Sequence, residues 1–388
     1  MARHAANEPL PGPPEPWKAS EIPTFRGRPP YHMSEMIAAE PALAERLIHR
    51  LAKDEVVERL ATAIRAAAAA GHPIITTGCG TSEHAAIGLA ALLNEALELP
   101  AGRDVRSIQA LELLARPIVD GLLIAVSHEG GTQVTNQVLR AAQASGARTA
   151  LITAGGGSPG AELAEMVVRT EEQDQSWCHT VGYLSPLLVG VVVAARLSRS
   201  RVDALAIRAL LDVADDPHAA ASMASALAAS DRLIVVGAGV DHVSARELAL
   251  KVAEGARLPA AAHELETIMH GHLAAATRWS GLVLFLTAPG HREGVIRERG
   301  GRVLAAARAL AVPAAAILSA EVAHSVPQEE TPAGRIVLPR MGRVGGAAGS
   351  LLGSALALQL LTERLARARG VNPDTLGRED PAQAAAHA

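Results

Sequence analysis

Two short turns in the first half of the chain carry the residues best suited to bind an anion. Gly78–Ser82 reads Gly-Cys-Gly-Thr-Ser and lies between a predicted strand and a predicted helix, and Ser127–Thr132 (Ser-His-Glu-Gly-Gly-Thr) lies in the same kind of place. Glycine permits a sharp turn, and the start of a helix offers unpaired N–H groups and a partial positive charge. Either turn alone could be a simple strand-to-helix connection. Two on neighbouring strands predict a sugar or phosphate crevice at the carboxyl edge of a sheet. The candidate ligand-binding residues are Cys79, Gly80, Thr81, Ser82, Ser127, His128, Glu129, Gly130 and Thr132.

Glu129 is the residue in these turns that fits a phosphate least well, because a carboxylate repels a dianion. Three interpretations stay open. The substrate lacks phosphate at that position, or Glu129 points away and hydroxyl groups of the two turns hold the phosphate, or Glu129 caps the helix that follows.

Acid–base candidates lie in the second half of the chain. Glu247, Lys251 and Glu254 are spaced to share one face of a helix, and Glu247 with Lys251 predicts an ion pair within that helix. Glu254 comes just before Gly255-Ala-Arg-Leu-Pro259, where the helix should end. A carboxylate in that place can face a cleft, and the alternative is an ordinary solvated helix residue.

The densest histidine cluster follows, at His263-Glu-Leu-Glu266 and Met269-His-Gly-His272. Imidazoles and carboxylates this close could bind a metal, but no two of these histidines have the helical i, i+4 spacing, and no cysteine lies nearby. A histidine in a loop is also a plausible general acid or base, because its pKa is near neutrality.

The strands and helices that must position these residues alternate in the same order in both halves of the chain. Short apolar runs of strand type alternate with helical patterns of roughly a dozen residues, which predicts parallel sheets covered on both faces. Ile75–Gly80 is echoed by Ile234–Gly239, and later runs recur in the same order. We therefore expect an α/β fold of two tandem flavodoxin-like units, each three-layer αβα. The predicted boundaries are a flexible arm at 1–30, a first unit at 31–200, a second at 201–369 and a tail at 370–388.

Composition excludes several classes of function. The net charge is −4 and aromatic residues are 2% of the chain, so neither a basic nucleic-acid surface nor a base-stacking platform is expected. Two distant cysteines, Cys79 and Cys178, fit a reducing compartment and no disulfide framework. No signal peptide is recognisable, and the longest apolar run, at 184–197, is too interrupted for a membrane span. The expected location is the cytoplasm.

Taken together, these motifs resemble the sugar isomerase (SIS) domain family, above all the isomerase half of the glucosamine-6-phosphate synthases. Gly78–Ser82 is similar to the first sugar-phosphate loop of that family. Glu247-Leu-Ala-Leu-Lys-Val-Ala-Glu254 resembles its Glu-Gly-Ala-Leu-Lys-Leu-Lys-Glu helix, and Glu266-Thr-Ile-Met-His-Gly-His272 resembles its Glu-Leu-Lys-His-Gly-Pro loop. Asp174–Thr180 is closer to the shorter tagatose-6-phosphate ketose/aldose isomerases. The resemblance covers about residues 31–380.

The resemblance implies roles for three residues. Glu254 would move a proton between C1 and C2, His270 would open the sugar ring, and the family's C-terminal lysine falls on Arg378. Arginine forms no Schiff base, so Arg378 could only orient a sugar oxygen. The family also implies a homodimer in which His270 completes the active site of the neighbouring subunit.

Two departures from the family pattern bear on activity. His128 and Glu129 replace Gln and Ser in the second loop, and the chain begins Met-Ala-Arg rather than with an amidotransferase half, so glutamine-fed ammonia transfer is not expected. The resemblance therefore implies aldose–ketose isomerisation of a sugar, or deamination of an amino sugar, with a phosphorylated substrate, no cofactor and no metal. The alternatives are a non-catalytic sugar-phosphate sensor and a metal-dependent hydrolase built on His263–His272.

Overall fold

The computed structural model describes residues 26–100, 102–170, 172–214, 217–288 and 293–386. Most of the predicted arm at 1–30 lies outside these residues. The described chain forms two compact units. The first contains residues 39–175 and 181–205, and the second contains 26–38, 176–180 and 206–386. The boundaries predicted from the sequence were contiguous. They therefore did not assign the short segments 26–38 and 176–180 to the second unit.

The first unit is built on a five-stranded parallel sheet in the order β2-β1-β3-β4-β5. Its central strands are fully buried, as continuous apolar runs predict. The strands are β1 (Ile74–Thr77), β2 (Arg106–Ser107), β3 (Leu122–Val126), β4 (Arg148–Thr153) and β5 (Met166–Arg169). The helices between residues 32 and 197 are α1 (His32–Leu51), α2 (Glu55–Ala70), α3 (Thr81–Leu97), α4 (Ala110–Ala115), α5 (Gln133–Ala144), α6 (Pro159–Leu163) and α7 (Val181–Leu197).

The second unit has a parallel five-stranded sheet of the same topology, β10-β9-β8-β6-β7. Its strands are β6 (Arg232–Gly237), β7 (Ala260–Glu264), β8 (Ser280–Leu286), β9 (Ala314–Ser319) and β10 (Arg335–Leu338). The helices from residue 204 onward are α8 (Ala204–Ala214), α9 (Pro217–Leu227), α10 (Val240–Ala256), α11 (Glu293–Ala309), α12 (Gly346–Ala368) and α13 (Pro381–Ala386). Short 3-10 helices cover Thr267–Met269 and His272–Ala275. These two sheets confirm the predicted α/β fold of two tandem units, each built on a parallel sheet.

Each unit makes the same turn after its first strand. Gly80 and Gly239 have φ of 58° and 57°, a region that favours glycine. A Cβ on Gly78 would lie 2.5 Å from the backbone of Ser82, and one on Gly237 would lie 2.4 Å from the backbone oxygen of Asp241. Both turns therefore require glycine at their first position, because the helix backbone passes too close for any side chain.

Local residue choices also fix the helices around the first sheet. Asp54 caps α2 by accepting a hydrogen bond from Val56 N at 2.8 Å, and Gly71 ends that helix with φ of 71°. The predicted buried helix near 185–197 is α7, which is buried over most of its length. No helix among the described residues is both long enough and apolar enough to cross a membrane.

Candidate active site

The two predicted ligand-binding turns of the first unit lie side by side. β1 and β3 are neighbouring parallel strands, with Thr77 opposite Ala125, so both strands end at one edge of the sheet. Cys79 Sγ in the first turn lies 3.8 Å from Thr135 Oγ1 in α5, the helix that follows the second turn. The two turns therefore lie at the same edge of the sheet, at the carboxyl ends of β1 and β3.

The Gly78–Ser82 turn leads directly into α3. Gly80 is the N-cap residue, so no side chain caps the helix there, and Thr81 is buried while Ser82 is half-buried. The half-buried Cys79 has a raised pKa, mainly because of burial; the hydrogen bond to Thr135 opposes the shift and Glu83 adds to it. A thiol held protonated at neutral pH is a weak nucleophile. Cys79 can therefore line the crevice but is not suited to attack a substrate.

The Ser127–Thr132 turn offers two hydroxyl groups close together. Ser127 Oγ and Thr132 Oγ1 are 3.3 Å apart. Thr132 is the N-cap residue of α5, with no side-chain cap hydrogen bond, and it is exposed. The half-buried Glu129 lies three residues before the cap, so the capping position predicted as one alternative for Glu129 belongs to Thr132.

Gly130 allows this turn to pack against the turn after β4. Its φ is 72°, and a Cβ there would lie 1.9 Å from Ser158 Oγ. A Cβ on Gly155 would in turn lie 2.1 Å from the backbone oxygen of Glu129. The turn after β4, Ala154–Ser158, is thus a third wall next to the predicted ones. This turn was not among the predicted ligand-binding turns, although Ala-Gly-Gly-Gly-Ser directly after an apolar strand is the same kind of glycine-rich turn as the other two.

His128 holds its turn in place. Its ring is buried, and Nε2 accepts a hydrogen bond from Asp174 N at 2.9 Å. Oδ2 of Asp174 lies 3.8 Å from the same nitrogen and accepts a bond from Gly182 N at 2.6 Å. Burial lowers the pKa of His128, opposed by the Asp174 carboxylate, so the neutral ring with a proton on Nδ1 fits this geometry. The contacts of His128 are those of a positioning residue rather than a ligand contact, and its partner Asp174 was not predicted.

A buried ammonium group, that of Lys251, lies between the two acid–base candidates Glu247 and Glu254 of the second unit. Lys251 is 1% exposed and lies 3.7 Å from Glu247, which is fully buried, and 2.6 Å from Glu254 Oε2. Burial lowers the pKa of Lys251, but Glu254, Cys178 and Glu247 outweigh it, so the net shift is upward and the group stays charged. The predicted pair of Glu247 with Lys251 is present, and it is buried rather than solvated.

Glu254 is the exposed member of this cluster. Its side chain is 22% exposed in the last turn of α10, which ends at Ala256 as the sequence predicts. The neighbouring position is closely packed, because a Cβ on Gly255 would lie 3.1 Å from Cys178 Sγ. The Glu254 carboxylate thus lies at a helix end, partly accessible to solvent, and accepts a hydrogen bond from the buried Lys251 ammonium.

Arg378 lies near the same end of α10. Its guanidinium carbon is 3.8 Å from the centroid of the Trp177 ring, a cation–π contact. Trp177 precedes Cys178, whose sulfur contacts the backbone oxygen of Lys251 at 3.8 Å. The C-terminal tail is also attached to the start of α1, because the Asp374 carboxylate accepts hydrogen bonds from the backbone nitrogens of His32 and Met33 at 2.8 and 2.9 Å. A chain of contacts therefore connects Arg378 with the helix that carries Glu254.

His270 lies on the surface of the second unit. Its side chain is 71% exposed, and Nε2 is 3.2 Å from Glu266, which also pairs with Arg299 at 3.1 Å. In the same segment, the His263 and His272 rings lie 4.3 Å apart, and burial, with His272 and His242 nearby, lowers the pKa of His263. Within the ranges given above, no group of three or more His, Cys, Asp or Glu side chains is placed to hold a metal ion.

Comparison with known proteins finds a curated relative that shares part of its sequence with this chain. Over 257 residues, or 61% of the chain, it is 29% identical to a glutamine–fructose-6-phosphate aminotransferase (isomerizing) of Symbiobacterium thermophilum, and the match spans 42% of that protein's length. The chain thus spans less than half of this curated relative.

Solved structures share the fold over nearly the whole chain. The C-terminal domain of glucosamine-fructose-6-phosphate aminotransferase from Francisella tularensis has a TM-score of 0.75 at 19% identity, covering 90% of this chain and 99% of that one. Tagatose-6-phosphate ketose/aldose isomerase from Escherichia coli has a TM-score of 0.69 at 18% identity, covering 92% and 98%. Residues 69–206 match the SIS domain. The predicted resemblance to the SIS domain family is therefore confirmed over this part of the chain.

Proposed function

We propose that this protein is a sugar isomerase or amino-sugar deaminase that acts on a phosphorylated sugar, with Glu254 as the base. The observation that carries the proposal is the Glu254 carboxylate, 22% exposed at the end of α10 and 2.6 Å from the buried Lys251 ammonium. A base in proton transfer must be accessible and ionised, and an ammonium at this distance stabilises the negative charge.

The ligand would be anchored in the first unit. Ser127 and Thr132, with hydroxyl groups 3.3 Å apart, and Thr81 and Ser82 at the start of α3 can donate to phosphate or sugar oxygens. The half-buried Glu129 is the negative group of the same turn. In this proposal it limits how tightly a phosphate dianion binds, or it favours a hydroxyl or ammonium group of the sugar.

In the proposed reaction, Glu254 removes the proton from C2 of the open-chain aldose and returns it to C1. Electrons of the C2–H bond form the enediol double bond, and the carbonyl oxygen at C1 takes up a proton. The enediol then collapses to the C2 ketone as the C2 hydroxyl gives up its proton and C1 is protonated, so the proton lost by the C2 oxygen balances the one gained by the C1 oxygen. A 2-amino sugar would give the C2 imine in the same way, and water would release ammonia from it. His270 would transfer the proton that opens the ring, and Arg378 would orient a sugar oxygen.

Deuterium incorporation tests this assignment. Wild-type protein in D2O should introduce deuterium at C1 of the ketose product or at C2 of the aldose, read by NMR for a panel of hexose 6-phosphates and hexosamine 6-phosphates. Glu254→Gln should lower this exchange by about 10²–10⁴-fold while leaving the ligand-induced rise in melting temperature intact. Glu298→Gln, at an exposed carboxylate paired with Arg302 on α11, is the matched control and should not change exchange. A Glu254→Gln variant with substantial exchange would contradict the proposal.

The exposed position of His270 supports a role at the site of a second copy of the chain. We propose a homodimer on that basis, with the family resemblance as the second argument. Mixing inactive Glu254→Gln with inactive His270→Asn protein should then restore part of the activity, because some hybrid sites carry both wild-type residues. Absence of rescue after verified subunit exchange, or an active monomer in light scattering, would contradict the dimeric site.

A sugar-phosphate-binding protein without catalysis is the second candidate. The hydrogen bond from Lys251 to Glu254 favours it, because a carboxylate held by an ammonium is a weaker proton acceptor than a free one. Such a protein would bind the ligand saturably with no deuterium incorporation in the wild type.

A further inference from the structure

The second unit has a buried carboxylate where the first unit has its candidate ligand crevice. Asp241 is 1% exposed and lies in the first turn of α10. Its Oδ2 accepts hydrogen bonds from Thr287 N at 2.9 Å and Ala288 N at 3.3 Å. Its Oδ1 accepts from the Thr287 hydroxyl and from Ser350 Oγ at 3.2 Å. Four donors from two further segments of the unit thus converge on one carboxylate.

The place of this carboxylate corresponds to that of a ligand in the first unit. Gly237-Ala-Gly-Val-Asp241 has the turn geometry of Gly78-Cys-Gly-Thr-Ser82, so Asp241 stands where the first unit has Ser82. β6 and β8 are neighbouring parallel strands, as β1 and β3 are, and Thr287 follows β8 as Ser127 follows β3. The two backbone N–H groups at the end of β8 are therefore at the edge where an open α/β sheet receives an anion.

The donor set is that of an anion site rather than of a neutral contact. Two amide N–H groups on one oxygen and two hydroxyl groups on the other are charge-assisted hydrogen bonds to a carboxylate. Thr287 Oγ1 is also 2.6 Å from Ser350 Oγ and 3.3 Å from Ser354 Oγ, so α12 closes the network from the far side. Burial raises the pKa of Asp241, and the four hydrogen bonds oppose that shift.

We propose that the strand-end crevice of the second unit is an anion site filled by the chain's own Asp241 carboxylate. The side chain acts as an internal ligand, and this unit accepts no sugar phosphate. Removing the carboxylate leaves the donors in place and creates a site for a small monocarboxylate such as formate. The first unit, with the shorter Ser82, keeps the corresponding space for an external ligand. The expected stoichiometry of one sugar-phosphate site per chain rests on the proposed function, whereas the internal ligand does not.

Chemical rescue tests the internal ligand without any sugar. Asp241→Ala should lower the melting temperature by roughly 6–12 °C, because it leaves buried donors without an acceptor. Sodium formate, titrated against sodium chloride at constant ionic strength, should restore about half of that loss with a saturable dependence on concentration. Leu248→Ala, which removes a fully buried apolar side chain from the same helix, is the matched control. It should lose stability in the same way and gain nothing specific from formate.

The outcomes separate clearly. An equal gain for Leu248→Ala, or a gain that does not saturate, would overturn the proposal. If Asp241→Ala does not fold, Asp241→Ser, which places the first unit's residue in the second, carries the same test. Its folded yield and melting temperature should rise with formate, and no rise would again overturn the proposal. Failure of the sugar-phosphate function would show as no ligand binding to wild type, with the formate rescue unaffected.

Discussion

Replacing Lys251 with methionine should destabilise the second unit strongly, because the ammonium neutralises a carboxylate that water cannot reach. Glu247 is fully buried, and Lys251 lies 3.7 Å from it. Glu254 is closer, at 2.6 Å, but it is 22% exposed and can be solvated once its partner is lost. The cost is therefore set mainly by Glu247.

The expected size follows from this difference in burial. Removing one partner of a buried pair costs about 3–5 kcal/mol, whereas an exposed pair contributes about 0–1 kcal/mol. For a unit of this size, 1 kcal/mol shifts the melting temperature by about 2–4 °C, so Lys251→Met should lower it by roughly 6–20 °C. The double variant Glu247→Gln with Lys251→Met should recover much of this, because no charge is then left buried.

Urea unfolding followed by circular dichroism measures the effect, with the slope of the transition checked for a change in the surface exposed on unfolding. A loss below about 1 kcal/mol for Lys251→Met would refute the argument, because it would place the pair in the range of exposed ones. A double variant no more stable than the single one would equally contradict the assignment of the cost to Glu247.

Two further predictions concern the Ser127–Thr132 turn. Burial lowers the pKa of His128 in the folded protein, so below about pH 6.5 the unfolded chain binds a proton that the folded one does not, and stability falls as the pH falls. In His128→Gln this acid-side loss should shrink, and melting temperatures measured from pH 7.5 down to 5 that run parallel for variant and wild type would contradict it. Glu129→Ser should raise the affinity for hexose 6-phosphates several-fold in calorimetric titrations if the carboxylate repels phosphate. Thr132→Ser, which keeps the hydroxyl group, is the control, and an unchanged affinity for a folded Glu129→Ser would remove Glu129 as a determinant of phosphate binding.

The sequence alone determined the α/β class and the central strands, because these depend on local composition. β1 and β3 are uninterrupted apolar runs bounded by glycine-rich turns, and such runs fit only strands buried on both faces. Two of the four edge strands, β2 and β7, were not predicted. β2 has two residues, and β7 reads Ala-Ala-Ala-His-Glu, so neither carries the β-branched or aromatic pattern that predicts a strand.

The residues Gly255–Pro259 also predicted that Glu254 lies near the end of its helix, and the structure has it there. The sequence could not predict which charged side chains are buried, or which residues from distant parts of the chain form hydrogen bonds with them. Glu247 and Lys251 have the spacing of an exposed ion pair, and only packing puts them in the interior.

The sequence predicts His128 as a ligand contact. In the structure its ring accepts a hydrogen bond from the backbone of Asp174, 46 residues away. The turn at Asp241 has Val240 and Asp241 where the first unit has Thr81 and Ser82, and it places a carboxylate of its own among the donors at the strand end. Spacing along the chain reports helix faces and strand ends, but hydrogen bonds between segments form only when the fold brings them together. Tertiary structure therefore decided which polar groups form hydrogen bonds within the fold and which stay available to bind a ligand.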